Sequence, residues 1–165
     1  MWESLRLDYE EFLFRVKENL TKSGWMEADR IVQTADLVME NKPGILDRLR
    51  VFIAFFKGED IQRKRLRDTL NLFLQKLEAV SAPSIAVPPI LSVLGPKIGI
   101  AVFVFDDIEG CEYIVDQSKV GDTLRQIYVL GWIVDLSKGS LIKHKGFPIV
   151  KWGEKEILEA LANST

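Results

Sequence analysis

The chain has 165 residues, 47% of them hydrophobic and 28% charged, with a formal charge of -2. That length and apolar content build a real core and exclude disorder as the main state, while the nearly balanced charge excludes a protein that coats nucleic acid through general basicity. A single cysteine excludes an internal disulfide, and with one histidine no Cys/His zinc set can form, so any metal would need carboxylate ligands.

The opening residues, MWESLRLDYEE, place acids where a secretory leader has a basic region followed by an apolar one. The longest apolar runs, 51–56 and 98–105, fall well short of the ~20 residues that span a bilayer. A cytoplasmic protein without membrane contact is expected. Apolar residues then recur at spacings of three and four through residues 3–79, which predicts about four helices. Leu5, Tyr9, Phe12, Val16 and Leu20 stripe the first, and Ala28, Ile31, Val32, Ala35 and Met39 the second, which begins near Trp25. NKPG at 41–44 reads as a stop and restart, because proline cannot continue the helix before it. The third helix is expected over 45–57 with Gly58 as its cap. Asp60 reads as the N-cap of the fourth, whose buried side carries Leu66, Leu70, Phe73, Leu74 and Leu77.

Four of the six prolines fall in SAPSIAVPPILSVLGP, residues 81–96, and mark a packed linker between modules. Beyond it, 98–105 and 112–116 read as two strands of a β-hairpin, and 126–136 as a helical start that turns into strand near Gly131. SKGS is a turn, 141–145 and 149–152 are short strands, and 154–162 is a closing helix. The expected fold class is α+β. A helical module over 1–80 and a linker over 81–96 precede a small α+β module over 97–165, whose sheet is antiparallel.

Each candidate site is weighed against a structural role. Asp106, Asp107, Glu109 and Glu112 form an acidic loop at a strand end, where carboxylates can hold magnesium or manganese for hydrolysis. The calcium-loop spacing fails at Ile108, and turn aspartates also serve the local backbone. Arg63, Lys64, Arg65 and Arg67 are a possible phosphate grip, but Glu59 and Asp60 stand one turn earlier and pair with them at helical spacing. Lys143, Lys145, Lys151 and Trp152 interleave base and aromatic as single-strand binders do, and equally as a lysine-guarded edge strand does. Cys111 and His144 lie in no nucleophile motif, and no glycine-rich phosphate loop occurs.

Two helices carry more apolar surface than one face needs. Leu7 and Phe14 lie off the stripe of the first, and Val51 and Phe55 off the stripe of the third, which makes these four the candidates for a partner interface. The leading reading is therefore a non-enzymatic interaction subunit or adaptor with a protein partner, most simply another copy of itself. Nucleic-acid association through the 143–155 segment is the first alternative. A carboxylate-metal hydrolase at the Asp106/Asp107 loop is the second. No catalytic residue and no cofactor is assigned.

Overall fold

Residues 51–56, VFIAFF, are apolar without a break, and such a run is buried on all sides whether it coils or extends. Its β-branched and aromatic content favours extension, and here it forms the strand at the centre of the architecture. The computed structural model describes residues 7–28, 34–41, 50–60, 63–80, 97–108, 119–122, 127–143 and 152–162. They contain helices α1 (Tyr9–Lys22), α2 (Arg63–Val80) and α3 (Glu154–Ala162). The strands are β1 (Met26–Glu27), β2 (Leu37–Asn41), β3 (Arg50–Lys57), β4 (Lys97–Phe105), β5 (Lys119–Asp122), β6 (Ile127–Asp135) and β7 (Ser140–Ile142).

All seven strands join one mixed sheet in the order β1-β2-β3-β4-β6, closed by β5 and β7. The first three form an antiparallel meander, β3, β4 and β6 are mutually parallel, and β5 and β7 return antiparallel to β6. Because β4 occupies one edge of β6 from Ile127 to Asp135, β5 and β7 share the other edge, β5 along its first half and β7 along its second.

The alternation of side chains divides the interior in two. Val51, Ile53, Phe55, Ile100, Val102, Leu130 and Trp132 face α1 and α3, meeting Phe12, Val16 and Leu20 from one helix and Ile157 and Leu161 from the other. Phe52, Ala54, Phe56, Ala101, Phe103 and Ile133 face α2, meeting Leu66, Leu70, Phe73 and Leu77. Close approach of α2 depends on small residues beneath it. A side chain at Gly99 would put its Cβ 2.9 Å from Leu77 Cδ1 and 3.0 Å from Phe73 Cε1.

This arrangement replaces the expected four-helix bundle and separate antiparallel α+β module. One sheet takes strands from both sides of the 81–96 boundary, and β3 pairs with β4 from Arg50–Lys97 to Lys57–Val104. The first, fourth and closing helices are present as α1, α2 and α3. The helix expected from Trp25 is not found among the described residues, where 25–28 and 34–41 are non-helical. Gly24, at φ 93°, ends α1 in a left-handed cap, Trp25 N–H donates back to Leu20 O at 2.9 Å, and the chain continues into β1. The helix expected over 45–57 is β3 where it is described. Its apparent helical stripe was the overlap of two periods within a continuous apolar run.

The hairpin is also corrected. Parallel neighbours occupy both edges of β4 along its length, so no edge remains for a hairpin partner, and residues 112–116 lie outside the described residues. Residues 127–135 are strand throughout, with no helical start, and Asp122, read as that helix's cap, belongs to β5. The SKGS turn stands, followed by β7. The linker 81–96 lies outside the described residues, as do residues 149–151 of the strand expected over 149–152, and Trp152 is in a turn. Among the described residues, no helix is long and apolar enough to cross a membrane.

Candidate functional site

Parallel strands end together, and in open α/β sheets the space beyond their carboxyl ends is where ligands are held. Here the carboxyl ends of β3 and β4 meet the first turn of α1 around a cleft of about 640 Å³. Asp8, Glu10, Asp36 and Asp106 supply carboxylates, Lys57 the one ammonium, Tyr9 a phenol and Leu13 an apolar wall.

Each side chain arrives there for a local reason. Asp8 is the N-cap of α1, its Oδ1 accepting the Glu11 N–H at 2.7 Å, so Tyr9 is fixed as the first helical residue. Lys57 continues the β3 alternation of Val51, Ile53 and Phe55, all of which face α1, and so emerges on the same side. Its ammonium lies over the Tyr9 ring, 5.8 Å from the centroid, within cation–π range. Asp36 precedes β2. Its backbone N–H donates to Phe55 O at 3.0 Å, and its Oδ2 accepts the Tyr9 hydroxyl at 2.6 Å, a charge-assisted length.

Asp106 is the first residue beyond β4. Its N–H donates to Glu59 Oε1 at 3.2 Å and its carbonyl accepts the Ser137 N–H at 2.9 Å, which ties it to the turn after β3 and to the turn after β6. The turn after β3 is a 3-10 stretch over Gly58–Asp60. Asp60 sits in that turn and not at the helix cap, and Glu59 is engaged with Asp106.

Among the described residues, four carboxylates and one ammonium line the cleft, and no three His, Cys, Asp or Glu side chains are grouped so that they could hold a metal ion.

Of the residues singled out from sequence, Asp106 lines the cleft, whereas Asp107 is exposed and does not. Glu109 and Glu112 lie outside the described residues, as do Cys111, His144, Lys145 and Lys151. Lys143 is ion-paired with Glu154 at 2.8 Å, and Trp152 is half-buried against the α1-side core, so neither presents an open binding strip. Val51 and Phe55 are core residues, at 0% exposure, because strand β3 turns both of its faces inward, and Leu7, just before α1, is buried in the α1-side core at 5%; of these four candidates only Phe14, at 68%, lies on the surface.

Sequence reasoning missed Tyr9, Asp36 and Lys57 as site residues, placing each on a helix. One signal pointed to Lys57: a lone charge closing an uninterrupted β-branched and aromatic run, as at the end of a buried strand. Compared with known proteins, the chain matches no family model, no curated protein and no solved structure.

Proposed function

We propose that the cleft beyond β3 and β4 binds a hydrated divalent cation and hydrolyses a phosphoester. One observation carries this reading: Asp36, Asp106 and Lys57 converge on a single cleft at the carboxyl ends of parallel strands. Asp36 and Asp106 would hold the cation, which when bound would supply Lewis acidity to a water and to the phosphoryl oxygens. Lys57 supplies positive charge to the phosphoryl oxygens as charge builds on them.

The test is manganese binding by thermal shift together with hydrolysis of bis(p-nitrophenyl) phosphate. Manganese is expected to raise the melting temperature, Asp36→Asn with Asp106→Asn to abolish the shift, and Lys57→Ala to keep it while lowering turnover about 100-fold or more. No shift and no turnover in the unaltered protein would end the proposal.

A second reading is association of two copies through the α1/α3 layer, favoured by Phe14 at 68% and Leu158 at 42% exposure. Light scattering decides it. A monomer at high micromolar concentration removes it, and a dimer lost in Phe14→Ser with Leu158→Ser supports it.

A further inference from the structure

At the amino ends of the parallel strands, the end of the sheet away from the cleft, two cations stand side by side. Arg50 opens β3, Lys97 opens β4, and the two pair in register. Both belong to the α2 face. Arg50 lies over the ring of Phe52, a member of the α2-side core, and Lys97 continues the alternation of Gly99, Ala101 and Phe103, which lie beneath α2. One carboxylate serves the two charges. Arg50 donates its Nε–H and Nη2–H to Glu40 Oε1 at 2.8 and 2.6 Å, which leaves Nη1 outside that pair. Among the described residues no carboxylate pairs with Lys97, although it is only 5% exposed. Residues 81–96, which lead into it, contain no aspartate or glutamate. A lysine is almost never so buried without a partner. Burial first, then the charge of Arg50, lowers its pKa, as expected of an ammonium short of a counter-charge.

We infer that Arg50 and Lys97 form a binding site for a small oxyanion, a phosphate or carboxylate group held between Arg50 Nη1 and the Lys97 ammonium. Such a group supplies the missing negative charge and accepts charge-assisted bonds from both side chains. The guanidinium is ordered before the anion arrives, because Glu40 holds one edge of it and the Phe52 ring supports its face, 5.1 Å from Cζ to the centroid. The Arg50 side chain keeps 31% of its surface in solvent, which gives the anion a way in. The site is independent of the cleft at the other end of β3.

The experiment titrates inorganic phosphate, and separately acetate, into the full chain at constant ionic strength in chloride, with binding read by calorimetry and by melting temperature. At least one anion is expected to bind and to raise the melting temperature by mass action. Tighter binding of phosphate identifies a phosphate-bearing ligand, and tighter binding of acetate a carboxylate. Lys97→Met is expected to weaken binding about tenfold or more through loss of a charge-assisted bond. Lys57→Ala, at the cleft, is expected to bind as the unaltered protein does. In the unaltered protein the NMR signals of the Lys97 and Arg50 side chains are expected to move along the titration, a readout that needs no variant. Absence of binding, unmoved Lys97 signals, undiminished binding by Lys97→Met or binding lost in Lys57→Ala would each overturn the inference, and none of these results removes the proposed function of the cleft.

Discussion

Phe55 separates a core strand from an interface helix by experiment. It is fully buried, pairs with Leu37 on β2 and Val102 on β4, and sets its ring edge-on to Phe12 of α1 at 6.1 Å and 69°. Truncation to alanine leaves a cavity beneath α1 and removes the aromatic pair, and buried Phe→Ala changes cost about 3–5 kcal/mol. A domain of this size has on the order of 5–15 kcal/mol in total, so Phe55→Ala should remove a large share of it and lower the melting temperature by roughly 6–20 °C. Phe14→Ala provides the control. At 68% exposure it should change stability by no more than about 0.5 kcal/mol. Urea unfolding followed by far-ultraviolet circular dichroism reads both, with the slope required to stay constant so that the midpoint reports stability. A loss below about 1 kcal/mol for Phe55→Ala, or equal losses for the two variants, would refute the placement of Phe55 between sheet and helix.

Gly99→Ala should destabilise by about 1–3 kcal/mol, since its Cβ has no room beneath Leu77 and Phe73, and a variant as stable as the parent in urea would show that α2 sits higher on the sheet. Asp8→Ala should cost about 1 kcal/mol through loss of the bond to the Glu11 N–H, measurable as a lower urea midpoint; Asp8→Asn should recover most of it. Lys97 is 5% exposed, and burial first, then the nearby charge of Arg50, holds its pKa below the usual 10.5. The folded chain therefore releases this proton at a lower pH than the unfolded chain. Between the folded value and 10.5 the unfolded state binds more protons, so stability rises with pH across that window, and below it the buried charge costs stability. Lys97→Met should be more stable at pH 7 and lack this part of the rise, as urea midpoints measured up to pH 10.5 would show; parallel pH profiles for the two proteins would contradict the assignment.

Local chemistry was enough to find the helices that bury a single stripe against the sheet. Phe12, Val16 and Leu20 of α1 turn one stripe inward, as do Leu66, Leu70, Phe73 and Leu77 of α2, and a helix with a single buried stripe can be read from spacing. Strand β3 has no such contrast. From Val51 to Phe56 every residue is buried because helices cover both faces of the sheet, so the run carries no alternation, and picking Phe52, Ile53 and Phe56 out of it produces a helical stripe from residues that do not form one. The off-stripe residues Val51 and Phe55 then looked like surplus apolar surface. They belong to the second face of a strand. The helical reading of this run is therefore also what set Val51 and Phe55 apart as surface, where the sheet buries both.

The cleft was harder to see for a different reason. Its parts come from four separate segments, the start of α1, the approach to β2, and the ends of β3 and β4, and only sheet register brings them together. Asp106 stands out in the sequence because it sits beside Asp107, yet the neighbour does not line the cleft, while residues that share it with Asp106 are 49 and 70 positions away at Lys57 and Asp36. No basic residue stands between Lys97 and Lys119, whereas a parallel neighbour brings one to the end of β4. Lys57 pairs with Val104, two residues before Asp106, so β3 delivers its terminal charge to the point where β4 delivers its own. In a parallel pair, charges that close two apolar runs converge however far apart they lie in the chain, and that convergence is what joins an acid, a base and a phenol in one cleft.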